Sequence, residues 1–159
     1  MRPPDREKWH IVSVTAHRAM SDDDIRKIHF VMGKVVALPH IDAIYFGGAR
    51  GGDTEALKSA LHHRGAAKRP RLVVVAPDTL VKQPFETHVW SRQADEIVEL
   101  RHPITRDDGF ASFGKRDQYL VDMATSLLAF FSGNYATGTG KTVKMAEADG
   151  IVVTKIKVG

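Results

Sequence analysis

The sequence predicts a single α/β domain in which a mainly parallel sheet lies between two layers of helices. Segments with the apolar pattern of strands alternate along the chain with segments whose apolar residues recur at helical spacing. Residues 72–76 are continuously apolar, which is typical of parallel strands buried on both faces. The chain of 159 residues fits one domain, taken as residues 1–159.

The order of elements supports this prediction from the N-terminus onward. Residues 10–16 alternate and are rich in β-branched side chains, so they predict the first strand. Ser21, followed by three aspartates, is a good N-cap for a helix that ends before Pro39. The same criteria predict strands at 43–46, 72–76, 97–100, 126–131 and 151–155, helices at 54–64, 85–93, 115–124 and 142–149, and a loop at 101–114.

Composition is that of an ordinary globular protein, with 43% hydrophobic and 26% charged residues. No apolar run approaches the roughly 18 residues of a membrane helix, and the polar start lacks a signal-peptide core. Together with the absence of cysteine, this predicts a cytoplasmic protein without membrane association. The net charge of +4 suits anionic partners. However, the basic groups at residues 2–8 and 64–71 lack interleaved aromatic residues, so solvated surface is favoured over a nucleic-acid patch.

Two glycine-rich segments, 46–57 (FGGARGGDTEAL) and 133–140 (GNYATGTG), carry the functional prediction. Each follows an apolar strand and precedes a helical pattern. A helix that starts after such a turn presents unpaired backbone N–H groups, and glycine allows a ligand to approach them closely. These are the conditions for binding a phosphate or carboxylate at a helix N-terminus.

The carboxyl ends of parallel strands share one rim, where open sheets of this kind bind ligands. Residues 15–18 end the first strand and join both glycine-rich segments there. The guanidinium of Arg50 suits a phosphate, and Arg116 opens the helix before the second loop. Asp53 either caps its helix or binds a ribose hydroxyl. The predicted ligand- and phosphate-binding residues are Thr15, His17, Arg18, Gly47, Gly48, Arg50, Gly51, Gly52, Asp53, Arg116, Thr137, Gly138 and Thr139.

Several better-known sites are excluded. Residues 138–142 (GTGKT) resemble the end of a Walker A loop, but the glycine that such a loop needs at position 135 is Tyr135. The G-x-S-x-G elbow is missing, and so is the dinucleotide fingerprint at the first strand–helix turn. The eight histidines include no i, i+4 pair, so we expect no metal and no cofactor.

Four segments resemble the SLOG superfamily, nearest its YpsA-like and DprA-like branch. Residues 47–53 resemble its G-x-A-R-G-x-D stretch, and residues 14–18 (VTAHR) are similar to its T-G-x-R opening. Arg116-Asp117 with the strand that follows resembles its R-N-x-x-[ML]-[VI]-D segment, and Gly138-Thr139 its G-T-x-x-x-[VI]-x-x-A segment. The resemblance implies a Rossmann-like three-layer α/β/α fold, a nucleotide-derived ligand and a homo-oligomer. Residues 25–38, which are apolar on more than one helix face, agree with association.

Three functional hypotheses follow from this resemblance. LOG enzymes of the superfamily carry an acid just after the G-T pair, but here Gly140 and Lys141 occupy those positions. We therefore expect a sensor or binding protein for a phosphate-bearing, nucleotide-derived ligand. One alternative is a nucleoside-monophosphate N-glycosidase (phosphoribohydrolase) of LOG type that uses Asp53, Glu55 or Asp122 as its acid. The other is single-stranded DNA binding as in DprA, for which the sequence lacks a run of stacking aromatics.

Overall fold

The structure, a computed structural model, describes residues 9–109 and 111–159. These residues form six strands and five α-helices, with a short 3₁₀ helix, Leu80–Lys82, before the third α-helix. The strands are β1 Ile11–Ala16, β2 Ala43–Phe46, β3 Arg71–Ala76, β4 Glu96–Glu99, β5 Ser126–Phe131 and β6 Val152–Lys157. The helices are α1 Asp22–Ala37, α2 Gly52–Arg64, α3 Phe85–Ser91, α4 Ala111–Met123 and α5 Gly138–Ala148.

All six strands are parallel and lie in the order β4-β3-β2-β1-β5-β6, which confirms the predicted fold class. The chain moves outward from β1 to β4, returns beside β1 as β5 and then moves outward in the other direction. The strand order therefore reverses between β1 and β5. In open parallel sheets, the crevice beyond the carboxyl ends of two such strands is the usual ligand site.

The two faces of the sheet carry separate cores. On β5, Leu128 and Phe130 belong to a core with residues of α1 and α2, whereas Leu127 and Ala129 belong to a second core with residues of α4 and α5. Because successive strand residues point to opposite faces, this alternation places the two helix pairs on opposite sides. The fold is thus the predicted three-layer sandwich.

Local capping decides where the helices begin. Ser21 is the N-cap of α1, as the sequence predicted, and it forms a reciprocal capping box with Asp24. The predicted loop at 101–114 is wrong at its end, because α4 already begins at Ala111, whose N–H donates to the carboxylate of Asp108 at 3.3 Å. Helix α5 also begins four residues early. The Thr137 hydroxyl caps it, and this outweighs the poor helix propensity of two glycines in its first turn.

Much of the apolar surface of α1 serves the core. Ile28 and Met32 are fully buried, and the valines of the helix pack partly against the same core. Phe30 and Leu38 stay 66% and 43% exposed. These two side chains can contact either solvent or a second copy of the chain, so the homo-oligomer stays a prediction.

Three arginines of the basic segment at 64–71 form ion pairs, namely Arg64–Asp95, Arg69–Asp42 and Arg71–Glu96. The group at residues 2–8 lies outside the described residues. Within the part of the chain that is described, no helix is both long enough and apolar enough to cross a bilayer.

Candidate functional site

A cleft of about 590 Å³ opens beyond the carboxyl ends of β1 and β5, where the strand order reverses. Segments from the ends of β1, β2 and β5 and from α4 meet there. Of the predicted ligand-binding residues, the structure places eight in its wall: Thr15, His17, Arg18, Asp53, Arg116, Thr137, Gly138 and Thr139. The sequence prediction missed further lining residues, among them Phe113, Asp117, Ser132, Thr142 and Gly159.

The glycines of the first loop are explained by contacts within the chain. Gly51 has φ +84°, and a Cβ there would lie 1.9 Å from the carbonyl oxygen of Arg18. A Cβ on Gly52 would lie 2.5 Å from that of Ala16, and the Gly52 N–H donates to the carbonyl of His17 at 2.9 Å. These glycines let the start of α2 pack against the end of β1. Gly47, Gly48, Gly51 and Gly52 do not line the cleft, and ligand contact by them stays a prediction.

Asp53, in the first turn of α2, is buried beneath the cleft. Its carboxylate accepts hydrogen bonds from the N–H groups of Ala16, at 3.1 Å, and Ala49. Burial raises the pKa of Asp53 to about 7, against the opposing effects of Arg116 and of these two hydrogen bonds. Asp53 therefore ties the first glycine loop to the end of β1.

Arg116, on α4, is 7% exposed and lies among oxygen atoms of the protein itself. One terminal nitrogen donates to the carbonyl of Gly47 at 2.6 Å, and Nε donates to the carboxylate of Asp117 at 2.9 Å. Burial also raises the pKa of Asp117, although Arg116 opposes this shift. Because Arg116 has two acids beside it, much of its charge is matched before any ligand arrives. Its first observed role is to hold the Gly47 loop against α4.

The N-terminus of α5 carries no acidic residue in its first turn. The Thr137 hydroxyl accepts from the N–H of Gly140 at 3.0 Å, and Gly138 and Thr139 line the cleft. The unpaired N–H groups and the positive end of the helix dipole are therefore available to an anion in the cleft. Helix α2, by contrast, already carries Asp53 and Glu55 in its first turn.

His17 supplies a neutral donor. Its Nε2 accepts a hydrogen bond from the Ser132 N–H at 2.9 Å, which places the ring proton on Nδ1. Burial lowers the pKa of His17, with a smaller opposing effect of Asp24, so the neutral ring is favoured.

Phe113 lies between two arginines at the mouth of the cleft. The guanidinium carbons of Arg18 and Arg116 are each 5.8 Å from its ring centroid. Arg18 is exposed, and among the described residues it has no ion-pair partner. The sequence prediction missed Phe113 because it assigned this stretch to a loop.

Of the three candidate acids for hydrolysis, the cleft contains only Asp53. Glu55 lies against α1, with its carboxylate 3.1 Å from His29 and 3.2 Å from Lys58. Asp122 accepts a hydrogen bond from Gln118 at 2.8 Å and does not line the cleft. Residues 9–109 and 111–159 include no group of three or more His, Asp or Glu side chains placed to hold a metal ion.

Arg50 lies beside the cleft, 60% exposed, with its guanidinium 3.6 Å from the carboxylate of Glu86. We expect Arg50→Ala to weaken binding of a ligand whose phosphate reaches Arg50 by about 1.5–3 kcal/mol, the contribution of a charged hydrogen bond. Folding stability should change by less than about 1 kcal/mol, since the ion pair is exposed. Calorimetric titration and urea unfolding of the same sample measure both effects. A large loss of stability without a change in affinity would assign Arg50 to the fold.

Comparisons with solved structures place this fold among known proteins. DNA processing protein A (DprA) from Streptococcus pneumoniae superposes with a TM-score of 0.75 at 18% identity over 98% of the chain, and DprA from Helicobacter pylori with 0.72 at 15% over 97%. The molybdenum cofactor binding protein of Rippkaea orientalis superposes with 0.66 at 14% over 95%. The chain spans 53%, 68% and 78% of these three proteins, respectively. No family model and no curated protein sequence matches it.

At these identities the comparisons establish the fold alone. DprA and the molybdenum cofactor binding protein superpose on nearly the whole length of this chain, and so on its six-stranded sheet and both helix layers. The chain is therefore similar to DprA and to the molybdenum cofactor binding protein in its fold.

Proposed function

We propose that the chain binds a phosphate-bearing, nucleotide-derived ligand in the cleft, with the phosphate at the N-terminus of α5. The observation that carries this proposal is the first turn of α5, which opens on the cleft without an acidic residue of its own. It lies at the reversal of strand order between β1 and β5. The cleft volume of about 590 Å³ is in the usual range for small-molecule sites.

The other lining side chains suit the rest of a nucleotide. Arg18 adds a positive charge that has no ion-pair partner among the described residues, and the neutral ring of His17 adds an N–H donor. Phe113 offers an apolar ring at the cleft mouth on which a base or sugar can pack. Charge, donor and ring therefore line the same cleft as the first turn of α5, where they can contact the parts of a nucleotide other than its phosphate.

The same geometry favours binding over hydrolysis. An acid that works at a glycosidic bond must reach the substrate with its oxygen atoms. Asp53 lines the cleft but is only 7% exposed, and its carboxylate already accepts hydrogen bonds from two backbone N–H groups, which supports a structural role. The similar structures are described as binding single-stranded DNA or a molybdenum cofactor, and this supports a binding role without identifying the ligand.

Replacing Gly138 by aspartate tests the α5 site directly. A Cβ at Gly138 would meet nothing within 4 Å, so the side chain fits without displacing its neighbours. A carboxylate in the first helical turn is favourable for the helix but repels a phosphate from the same N–H groups. We expect the affinity for nucleoside monophosphates to fall at least about ten-fold while the melting temperature of the free protein stays level or rises. Calorimetric titration and thermal unfolding measure the two effects.

Gly138→Ala is the matched control, since it fills the same space without charge and should retain most of the affinity. If Gly138→Asp binds AMP, CMP, GMP and UMP as tightly as the unaltered chain does, the phosphate lies elsewhere. Binding by the unaltered chain of none of these nucleotides would refute the proposed ligand class for this cleft.

A further inference from the structure

A second pocket of about 180 Å³ adjoins the cleft. We call it the side pocket; its outer wall consists of Arg50, Lys82, Gln83, Pro84 and Ile104. Phe113, Arg116, Arg18 and Ala49 line both the side pocket and the cleft. One ligand can therefore extend from the cleft past the ring of Phe113 into the side pocket.

Gln83 lines the side pocket and carries an unused hydrogen-bond donor. The residue is 9% exposed, and its amide Nε2 is buried without a hydrogen-bond partner among the described residues. Its backbone is fixed, because the Gln83 carbonyl is 2.9 Å from Nε2 of His88 and its N–H donates to the carbonyl of Leu80. Buried amide donors are nearly always paired, so an unpaired one beside a pocket calls for an acceptor from outside the chain.

The charges around the side pocket specify the kind of acceptor. Lys82 is exposed, and no ion-pair partner for it exists among residues 9–109 and 111–159. Arg50 shares only an exposed, 3.6 Å contact with Glu86. Two cations and an unsatisfied amide N–H together match the oxygen atoms of a second anionic group.

We propose that the side pocket is a second phosphate subsite, so that the ligand carries two phosphate groups separated by a sugar or nucleoside rather than one. This inference rests on the proposed function, since the first phosphate occupies the N-terminus of α5. The ring of Phe113 then packs against the part of the ligand that joins the two phosphates. Arg50, which lines the side pocket and not the cleft, contacts the second phosphate.

The test compares AMP with adenosine 3′,5′-bisphosphate by calorimetric titration. The bisphosphate should bind the unaltered chain at least about ten-fold more tightly than AMP does. Because its extra charge alone strengthens binding to a basic surface, Gln83→Leu supplies the specific readout. This variant should lose about ten-fold in affinity for the bisphosphate and less than about two-fold for AMP. Gln93→Leu, which removes an amide that donates to the carbonyl of Val89 at 3.1 Å, is the matched control and should change neither affinity.

Thermal unfolding of the free Gln83→Leu protein gives an independent result. Replacing an unsatisfied buried donor by an apolar group of similar size should leave the melting temperature level or raise it. A marked fall would show that the amide stabilises the fold, and it would overturn the subsite. Equal affinity of the unaltered chain for the two ligands, or equal losses for both in Gln83→Leu, would overturn it while leaving the proposed function in place. Failure of both ligands to bind would remove the proposed function and the subsite together.

Discussion

Replacing Arg116 by methionine is expected to lower the free energy of unfolding by about 3–5 kcal/mol, the usual cost of removing one partner from a buried ionic cluster. The guanidinium is the only cation within hydrogen-bonding distance of Asp117 among the described residues, and it also opposes the pKa rise of Asp53. Without it, two buried carboxyl groups lose their compensating charge and the Gly47 carbonyl loses a donor at 2.6 Å. Methionine replaces the aliphatic stem of arginine by a similar apolar chain, so most of the loss reports charge and hydrogen bonding. Urea unfolding at pH 7.5 measures it.

Arg71→Met is the control for this measurement. Arg71 forms an ion pair with Glu96 in which the two side chains are 53% and 47% exposed. Removing such a pair should change the free energy of unfolding by less than about 1 kcal/mol. A similarly small effect for Arg116→Met would mean that the acids beneath the cleft need no cation, and that Arg116 is free to serve a ligand.

The fold could be predicted because its signals repeat along the chain. Each strand and helix has its own apolar spacing, and alternation between them leaves a parallel sheet as the natural arrangement. The rim follows from the same argument. Once the strands are parallel, Thr15, at the end of β1, must lie on the same side of the sheet as Gly48 and Thr139, which follow β2 and β5. Topology of this kind depends on element order and not on distances.

The content of the cleft depends on distances between elements, which spacing along the chain does not encode. The sequence singled out Arg116 as a phosphate ligand, but its nearest partners, Asp117 and the Gly47 carbonyl, come from α4 and from a loop 69 residues away. Gly51 and Gly52 show the same limit. Their glycine-rich pattern suits a ligand and a close backbone contact equally well. Only the packing of Arg18 against Gly51, and of Ala16 and His17 against Gly52, distinguishes the two.

The sequence predicted that α4 and α5 exist but misplaced their first residues, because the start of each helix depends on local hydrogen bonds. Thr137 caps α5, and Asp108 accepts a hydrogen bond from the first N–H of α4. Both residues lie where glycines or irregular residues obscure the helical pattern. The N–H groups that make α5 a candidate anion site belong to residues assigned to the loop. The prediction therefore identified the segment but placed its helix start four residues too late.

The folded chain is expected to lose stability as the pH rises from about 4 to about 7, by up to about 4 kcal/mol. Burial raises the pKa of Asp53 from 3.8 to about 7 in the folded state. Between these values the folded chain holds a proton that the unfolded chain has released, so unfolding is opposed most strongly at the acidic end. The limit follows from a difference of about three pKa units at 1.36 kcal/mol each. Burial also raises the pKa of Asp117, which therefore acts in the same direction.

Other groups bound the size of this effect. Burial lowers the pKa of His17, so its contribution to stability decreases as the pH falls below about 6.5 and partly offsets that of Asp53. Hydrogen bonds lower the pKa values of Asp24 and Asp95 despite burial. These two residues therefore lose stabilising interactions only below about pH 4. Asp53→Asn should therefore flatten the pH dependence of urea unfolding between about pH 4 and pH 7. Asp23→Asn, which removes an exposed carboxylate from the start of α1, should leave that dependence as it is. An unaltered slope in Asp53→Asn would show that the proton beneath the cleft resides on another group.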